Sequence, residues 1–325
     1  MCRIDWKDTR KVKPLIIFIT SILCLLALET DAQSETYNLK RFSFSQSDFA
    51  DTIPLEWTAS KAFVIVEVNG QRMRFMIDTG SSMSVIYEQA IASRGDQLRQ
   101  SLNTTGVITM HDALGATTKV DVVEAASFKI GKTAVEHYPL TVMRRAVGTV
   151  RCDGILGFDI INRGLTVRLD TRARQLVLTD RPKLMAKEQK AGHTLRYTLH
   201  RYIPYIMLQP FDTMDEEMAF DTGCSFICLI NADRLRNYEY IRPHEVSEQV
   251  SERNQELVLV GSLSNDTTRE TTLLHLQTLR WKKHEMNDIE AQTTMGRSRV
   301  GAAMMERGVV IIDGMRRRIT LCPYL

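Results

Sequence analysis

The 325-residue sequence has no strong excess of either charge. Lysine and arginine number 42 against 39 aspartates and glutamates, a formal balance of +3. That near-neutrality argues against nucleic acid or another polyanion as the principal partner. The run Arg316-Arg317-Arg318 reads as a solvated turn between strands. Signatures of several enzyme classes are missing too. The seven histidines form no His-Glu-x-x-His, and there is no Gly-x-Ser-x-Gly elbow and no glycine-rich phosphate loop. Cys224 and Cys228 have no His or further Cys at ligand spacing, so neither metal nor cofactor is expected. Sustained 3.6-residue periodicity is scarce, with short helical stretches at residues 87–93 and 232–237.

No long apolar run reaches the ~20 residues of a bilayer span. The stretch 15–28 has 14 residues and follows Arg10, Lys11 and Lys13, a pattern that suits the core of a signal peptide. Residues 1–32 are expected to be that peptide, cut near Ala32. A retained membrane anchor is the alternative, and the only route to a membrane partner. Export would leave Cys152, Cys224, Cys228 and Cys322 where disulfides persist, as buried thiols or with one bridge.

What is present is a composition of 44% hydrophobic and 25% charged residues, ordinary for a globular protein, and an internal repeat. "FMIDTGSSMSVI", residues 75–86, is echoed by "MAFDTGCSFICLI", residues 218–230. Asp78 and Asp221 lie 143 positions apart, and so do Asp170 and Asp313 further along. Two Asp-Thr-Gly triplets with matched downstream spacing point to duplication of a whole lobe. Each half reads as strands. "FVIVEV" precedes Asn69-Gly70, a strong hairpin signal, and the next strand runs into Asp78. "YIPYIMLQP" and "EEMAF" lead likewise into Asp221, with Pro204 suggesting an edge or a break. "SFKIGKTAVEHYPLTVM" and "TLRWKKHEMNDIEAQTTM" look like corresponding hairpins, in which Phe128 and Ile130 take the places of Leu279 and Trp281. The expected organisation is a leader or first strand at 33–54, one lobe at 55–182, a polar connector at 183–192 and a second lobe at 193–325.

A lone aspartate after a strand is ordinarily a turn or cap residue, but that explains neither the duplication nor the shared triplet. If the lobes pack about a pseudo-twofold axis, Asp78 and Asp221 meet at it. Two carboxylates at such range cannot both ionise cheaply, so the pair retains one proton and supplies a base and an acid together. That division suits hydrolysis of an amide by water. Gly80 and Gly223 permit close backbone approach. Thr79 and Thr222 offer hydroxyls to tie the loops together, and Ser81 offers one to the outer oxygen of Asp78.

"IDTGSSMSVI" together with "DGILGFD", residues 153–159, resembles the pepsin-like and retropepsin-like aspartic peptidases, and the doubled motif resembles their single-chain bilobal form. The resemblance spans roughly residues 55–325. It implies a mainly β fold of two pseudo-symmetric, closed-barrel-like lobes with an active-site cleft between them, in a monomer. It implies an aspartic endopeptidase acting on peptide or protein substrates, with Asp78 and Asp221 as the catalytic pair. It implies also that Ile155-Leu156-Gly157 threads beside the first catalytic loop, and that a flap closes over substrate. The flap is placed near 107–120, with Met110, His111, Asp112 and Gly115 at its turn. A non-catalytic peptide-binding or regulatory protein on the same scaffold is the alternative. Three departures stand out: Cys224 replaces Ser81 in the second copy, Arg299 is an unusual occupant for a buried strand, and the flap has no tyrosine.

Overall fold

After three short strands, β1 (Ser43–Phe44), β2 (Ala50–Pro54) and β3 (Glu56–Thr58), the chain makes the tight turn expected at Asn69-Gly70. Their φ angles of 48° and 82° are the two positive values that a type I′ turn demands. The turn joins β4 (Lys61–Val68) to β5 (Gln71–Ile77) with Val68 opposite Gln71. Along β5, Met73, Phe75 and Ile77 are buried and the intervening residues are more exposed, the two-residue period of a strand with one covered face. This computed structural model describes residues 42–111, 117–144, 151–260 and 267–324, with side chains omitted at 256–260, 267 and 268. The expected signal peptide, residues 33–41 of the leader, and Asp112 and Gly115 of the flap lie outside the described residues.

Each half closes into a ring of six strands. The first uses β4, β5, β6 (Val85–Tyr87), β8 (Thr117–Ile130), β9 (Thr133–Met143) and β10 (Gly154–Leu156). Pairing runs β4–β5–β10–β6–β9–β8 and returns to β4. β7 (Leu102–His111) extends the sheet from β8 as a long hairpin. The second half repeats this order with β14 (Ile203–Phe211), β15 (Met214–Asp221), β20 (Arg299–Gly301), β16 (Cys228–Asn231), β19 (His284–Thr294) and β18 (Thr267–Trp281). β17 (Val250–Val260) extends it from β18. Both rings enclose a core in which Phe128, Ile130, Leu279 and Trp281 are fully buried at the positions the repeat assigned them. Trp281 satisfies its indole N–H on the carbonyl of His193 at 2.8 Å, so its burial leaves no polar atom stranded. Pro204 causes no break. It is the second residue of β14, where strand starts tolerate proline.

The remaining strands join the halves. β11 (Thr166–Asp170), β12 (Gln175–Thr179), β21 (Gly308–Asp313), β22 (Arg318–Pro323) and β13 (His193–His200) form with β2 the run β2–β12–β11–β21–β22–β13. Shifting by 143 residues maps each strand of the left half onto one of the right, so a pseudo-twofold axis passes between β11 and β21, where Arg168 pairs with its own equivalent, Ile311. All six residues of β21 are buried, as expected of a strand covered on both faces. Asp170 and Asp313, the second pair of landmarks, close the β11–β12 and β21–β22 turns by accepting from the amides of Ala173 and Arg316 at 2.8 and 2.9 Å.

Helices are short: α1 (Glu88–Ser93), α2 (Asp96–Ser101), α3 (Ala186–Ala191), α4 (Ala232–Ile241) and α5 (Pro243–Gln249). Asn231 caps α4 by accepting from the amide of Arg234 at 2.9 Å. The polar connector at 183–192 contains α3, and the run Arg316-Arg317-Arg318 lies in the exposed turn leading into β22.

Candidate active site

The two Asp-Thr-Gly loops are positioned by the same local weave. β10 lies parallel to β5 and antiparallel to β6, and so is threaded between the strands on either side of Asp78. The amide of Asp78 then donates to the carbonyl of Leu156 at 3.0 Å. β20 is threaded identically between β15 and β16, with Gly301 opposite Asp221. Bulk is forbidden at the crossing in the first lobe: a Cβ on Gly157 would lie 2.6 Å from the Met83 carbonyl.

The loops are tied across the axis by their threonines, both fully buried. Thr79 donates its amide to the Thr222 hydroxyl at 3.0 Å, and Thr222 donates its amide to the Thr79 hydroxyl at the same distance. Each hydroxyl in turn donates across to the opposite strand, Thr79 to the Phe220 carbonyl at 2.5 Å and Thr222 to that of Ile77 at 2.9 Å. Four buried polar groups are thereby satisfied in a form that holds only if both lobes are in place.

This lock sets the carboxyl groups against one another. Each aspartate accepts from the amide two residues on, Asp78 from Gly80 at 2.8 Å and Asp221 from Gly223 at 2.9 Å. Each also lies over the other loop's glycine. A Cβ on Gly80 would stand 2.4 Å from the Asp221 carboxyl carbon, and one on Gly223 the same distance from that of Asp78. Only glycine fits at either place. Burial pushes the Asp78 carboxyl up to about 7; the charge of Asp221 and a hydrogen bond with it add to this, while Lys61 and the Gly80 amide pull the other way.

Two cations flank the pair. Lys61, at the start of β4 and buried, donates its ammonium to the Gly223 carbonyl. Arg299, at the start of β20, places Nη1 3.0 Å from Oδ2 of Asp221. The other expected neighbours behave differently from the sequence reading. Ser81 does not hold Asp78. Its hydroxyl donates to the Met83 carbonyl at 2.7 Å, the local bond a serine makes inside a turn. Cys224 contributes backbone, its amide donating to the Asp221 carbonyl at 3.0 Å, while burial and the charge of Asp221 push its thiol up to about 11. All four described cysteines are free. Among the described residues no three His, Cys, Asp or Glu side chains gather as metal ligands.

Behind the first loop, Asp159 is buried against two hydroxyls, accepting from Ser84 and from Tyr138, each at 2.9 Å, while Ser84 also accepts the Gly157 amide at 2.9 Å. Burial raises Asp159 to about 6 against those bonds. In the sequence Asp159 stands out only as the end of a motif.

Of the flap residues, Met110 and His111 end β7, paired with Thr118 and Thr117. The second lobe has an equivalent hairpin, β17–β18, that sequence reasoning missed. The signal was present, since a shift of 143 positions carries Val107, the start of the expected flap, to Val250, the first residue of β17.

Residues 64–160, the heart of the first lobe, match the aspartyl protease family. The fold is that of the pepsin-like aspartic proteinases. An aspartic proteinase from Irpex lacteus superposes with a TM-score of 0.53 at 15% identity, over 85% of this chain and 97% of that one. Basic 7S globulin from soybean superposes with the same score at 9% identity, over 85% and 95%. No curated protein sequence matches the chain. Identities this low establish fold, and the family match adds support for a peptidase.

Proposed function

We propose that the chain is an exported aspartic endopeptidase in which Asp78 and Asp221 activate water between them. The observation that carries this reading is the pair of carboxyl groups brought together by crossed threonine bonds, one of them raised to about 7. Such a pair holds a single proton across the acid-to-neutral range. Two aspartates sharing one proton is the general chemistry of aspartic proteases, applied here to Asp78 and Asp221. The ionised carboxylate takes a proton from water as its oxygen attacks the peptide carbonyl carbon, and the protonated member gives its proton to the carbonyl oxygen. The resulting gem-diol collapses as a proton reaches the amide nitrogen and the C–N bond breaks, releasing acid and amine. The two long hairpins, β7–β8 and β17–β18, are the elements we assign to holding an extended peptide by backbone bonds. The charged and apolar N-terminal segment supports export to a periplasmic or extracellular location, which N-terminal sequencing of the protein from fractionated cells will test.

One observation favours a second reading. The same fold is carried by a soybean protein named as a globulin, and fold alone does not confer turnover. A non-catalytic peptide-binding or regulatory protein is therefore the alternative. Cleavage of a peptide library by the mature protein from acidic to neutral pH decides between them. Asp78→Asn and Asp221→Asn should each abolish cleavage while leaving the circular dichroism spectrum unchanged. Equal cleavage by the parent and both variants refutes the peptidase.

A further inference from the structure

The duplicated loops are alike in backbone and unlike in charge. In the threaded strand of the first lobe the position opposite Met76 is Ile155, and in the second lobe the position opposite Ala219 is Arg299. Its guanidinium lies 3.0 Å from Oδ2 of Asp221, with 16% of the Arg299 side chain and 12% of the Asp221 side chain left exposed. A cation this close, in a site this dry, favours the carboxylate form of the group it touches. Among the described residues no arginine plays this part for Asp78.

We infer that Arg299 is a positioning residue that fixes the direction of the dyad, holding Asp221 as the carboxylate that takes the proton from water and leaving Asp78 as the member that carries the shared proton. The inference rests on the peptidase reading for its catalytic meaning, and its physical core, which carboxyl is ionised, is measurable without turnover.

The other charged and titratable groups around the pair are compatible with this direction. From β4, Lys61 acts on Asp78 through its field but spends its ammonium on the Gly223 carbonyl. From the loop after β15, the thiol of Cys224 is held protonated. From β14, Tyr205 contributes to the field at Arg299, and its hydroxyl accepts from Arg297 at 3.2 Å. The amides of Gly80 and Gly223 act on the two carboxyls alike. The strong asymmetric contact is that of Arg299. The rise of Asp78, driven first by burial and next by the charge of Asp221, is what a proton-holding partner beside a fixed carboxylate would show.

The test uses Arg299→Met, which keeps the aliphatic stem and removes the charge, and Arg299→Lys, which keeps the charge. In both limbs of the pH–rate profile, loss of a nearby cation makes the carboxylates harder to ionise, so Arg299→Met should shift the profile of kcat/KM to higher pH. The acid limb should move by about one unit, costing up to about tenfold in activity along that limb and little near pH 6. Arg299→Lys should restore most of the limb. A purely structural role would lower activity by the same factor at every pH. Superimposable normalised profiles for the parent and Arg299→Met, or a lysine variant displaced as far as the methionine, would overturn the inference. Carbon NMR of protein labelled at aspartate Cγ, with Asp78→Asn and Asp221→Asn as assignment controls, gives a readout independent of cleavage. The Asp221 resonance should be that of a carboxylate near pH 5 while Asp78 is still protonated, and the two should converge in Arg299→Met. An ionised Asp78 beside a protonated Asp221 sinks the inference even if the peptidase stands. Absence of cleavage with the expected NMR pattern sinks the peptidase and leaves the polarity intact.

Discussion

Replacing Asp78 by asparagine should stabilise the folded protein at neutral and alkaline pH, and the size of the effect can be worked from the site. Asp78 is raised from 3.8 to about 7, first by burial and then by the charge of Asp221. The folded state thus binds this proton more tightly than the unfolded chain does. Stability that is fully present below about pH 4 is therefore lost progressively as pH rises through about 7. A rise of about three units corresponds to at most about 4 kcal/mol. Because Asp78 keeps some contact with solvent and shares its proton with Asp221, about 2 kcal/mol is the expected loss in a real measurement. Asparagine is close to isosteric, accepts the Gly80 amide as the carboxyl does, and cannot ionise. Urea unfolding at constant ionic strength near pH 4, 6 and 8 should show Asp78→Asn equal to the parent at the first and more stable by about 2 kcal/mol at the last. Asp221→Asn should be destabilised by about 2 kcal/mol near pH 5, where Asp78 holds its proton, because it leaves the Arg299 guanidinium beside a neutral amide. A stability difference between Asp78→Asn and the parent that is flat with pH, or that shrinks as pH rises, refutes the picture of a carboxyl held against its preference.

Three other sets of contacts can be probed one at a time. Thr79→Val removes a hydroxyl that donates to the Phe220 carbonyl and accepts the Thr222 amide, which should cost about 2–4 kcal/mol in denaturant unfolding and abolish cleavage, whereas Thr79→Ser should retain both. Tyr138→Phe removes a hydroxyl that favours ionised Asp159. Asp159 is raised to about 6, so parent and variant should lose stability in parallel from about pH 4 to about 6, and the gap between them should widen only above about 6, where the parent's Asp159 ionises in the folded state and the variant's still holds its proton. At Cys224 and Cys228 burial is the first cause pushing the thiols up, and all four described cysteines are free. Iodoacetamide near pH 8 should therefore label these two only after unfolding, as read by peptide mass mapping, and reductant should leave the melting temperature unchanged.

The parts of this protein that could be read in one dimension are those governed by local rules or by repetition. Asn69-Gly70 announced a turn because few other residues accept two positive φ angles in succession. Phe128, Ile130, Leu279 and Trp281 could be matched in pairs because the repeat fixes equivalence. Spacing does not say where a side chain ends. Ser81 was placed on Asp78 by analogy of position, but its hydroxyl finds a closer acceptor in its own turn. Arg299 looked misplaced in a buried strand because the repeat brings that strand beside the second catalytic loop but does not say that a side chain two positions before the carboxylate in register ends on its oxygen. β17–β18 went unnoticed because its lobe has diverged in residue type while keeping its pairing.

The same contrast bears on how a duplicated fold performs chemistry that has a direction. Backbone features repeat between the lobes: the threaded strand, the crossed threonine bonds and the amide on each carboxyl occur twice, nearly identically. A pair built from these alone would have no preference for which aspartate holds the proton. The differences lie in side chains: Arg299 where the first lobe has Ile155, and Lys61 where the second has Pro204. Both cations bear on the second loop, one on its carboxylate and the other on the carbonyl of Gly223. Symmetry accounts for the meeting of two acids, and the charge added to one side accounts for their division of labour. Exchanging the two positions, with Ile155→Arg and Arg299→Ile together, should therefore exchange which aspartate reads as ionised by carbon NMR, provided the new arginine reaches Asp78 as the present one reaches Asp221; an unchanged pattern in a folded double variant would mean that the backbone, not Arg299, sets the direction.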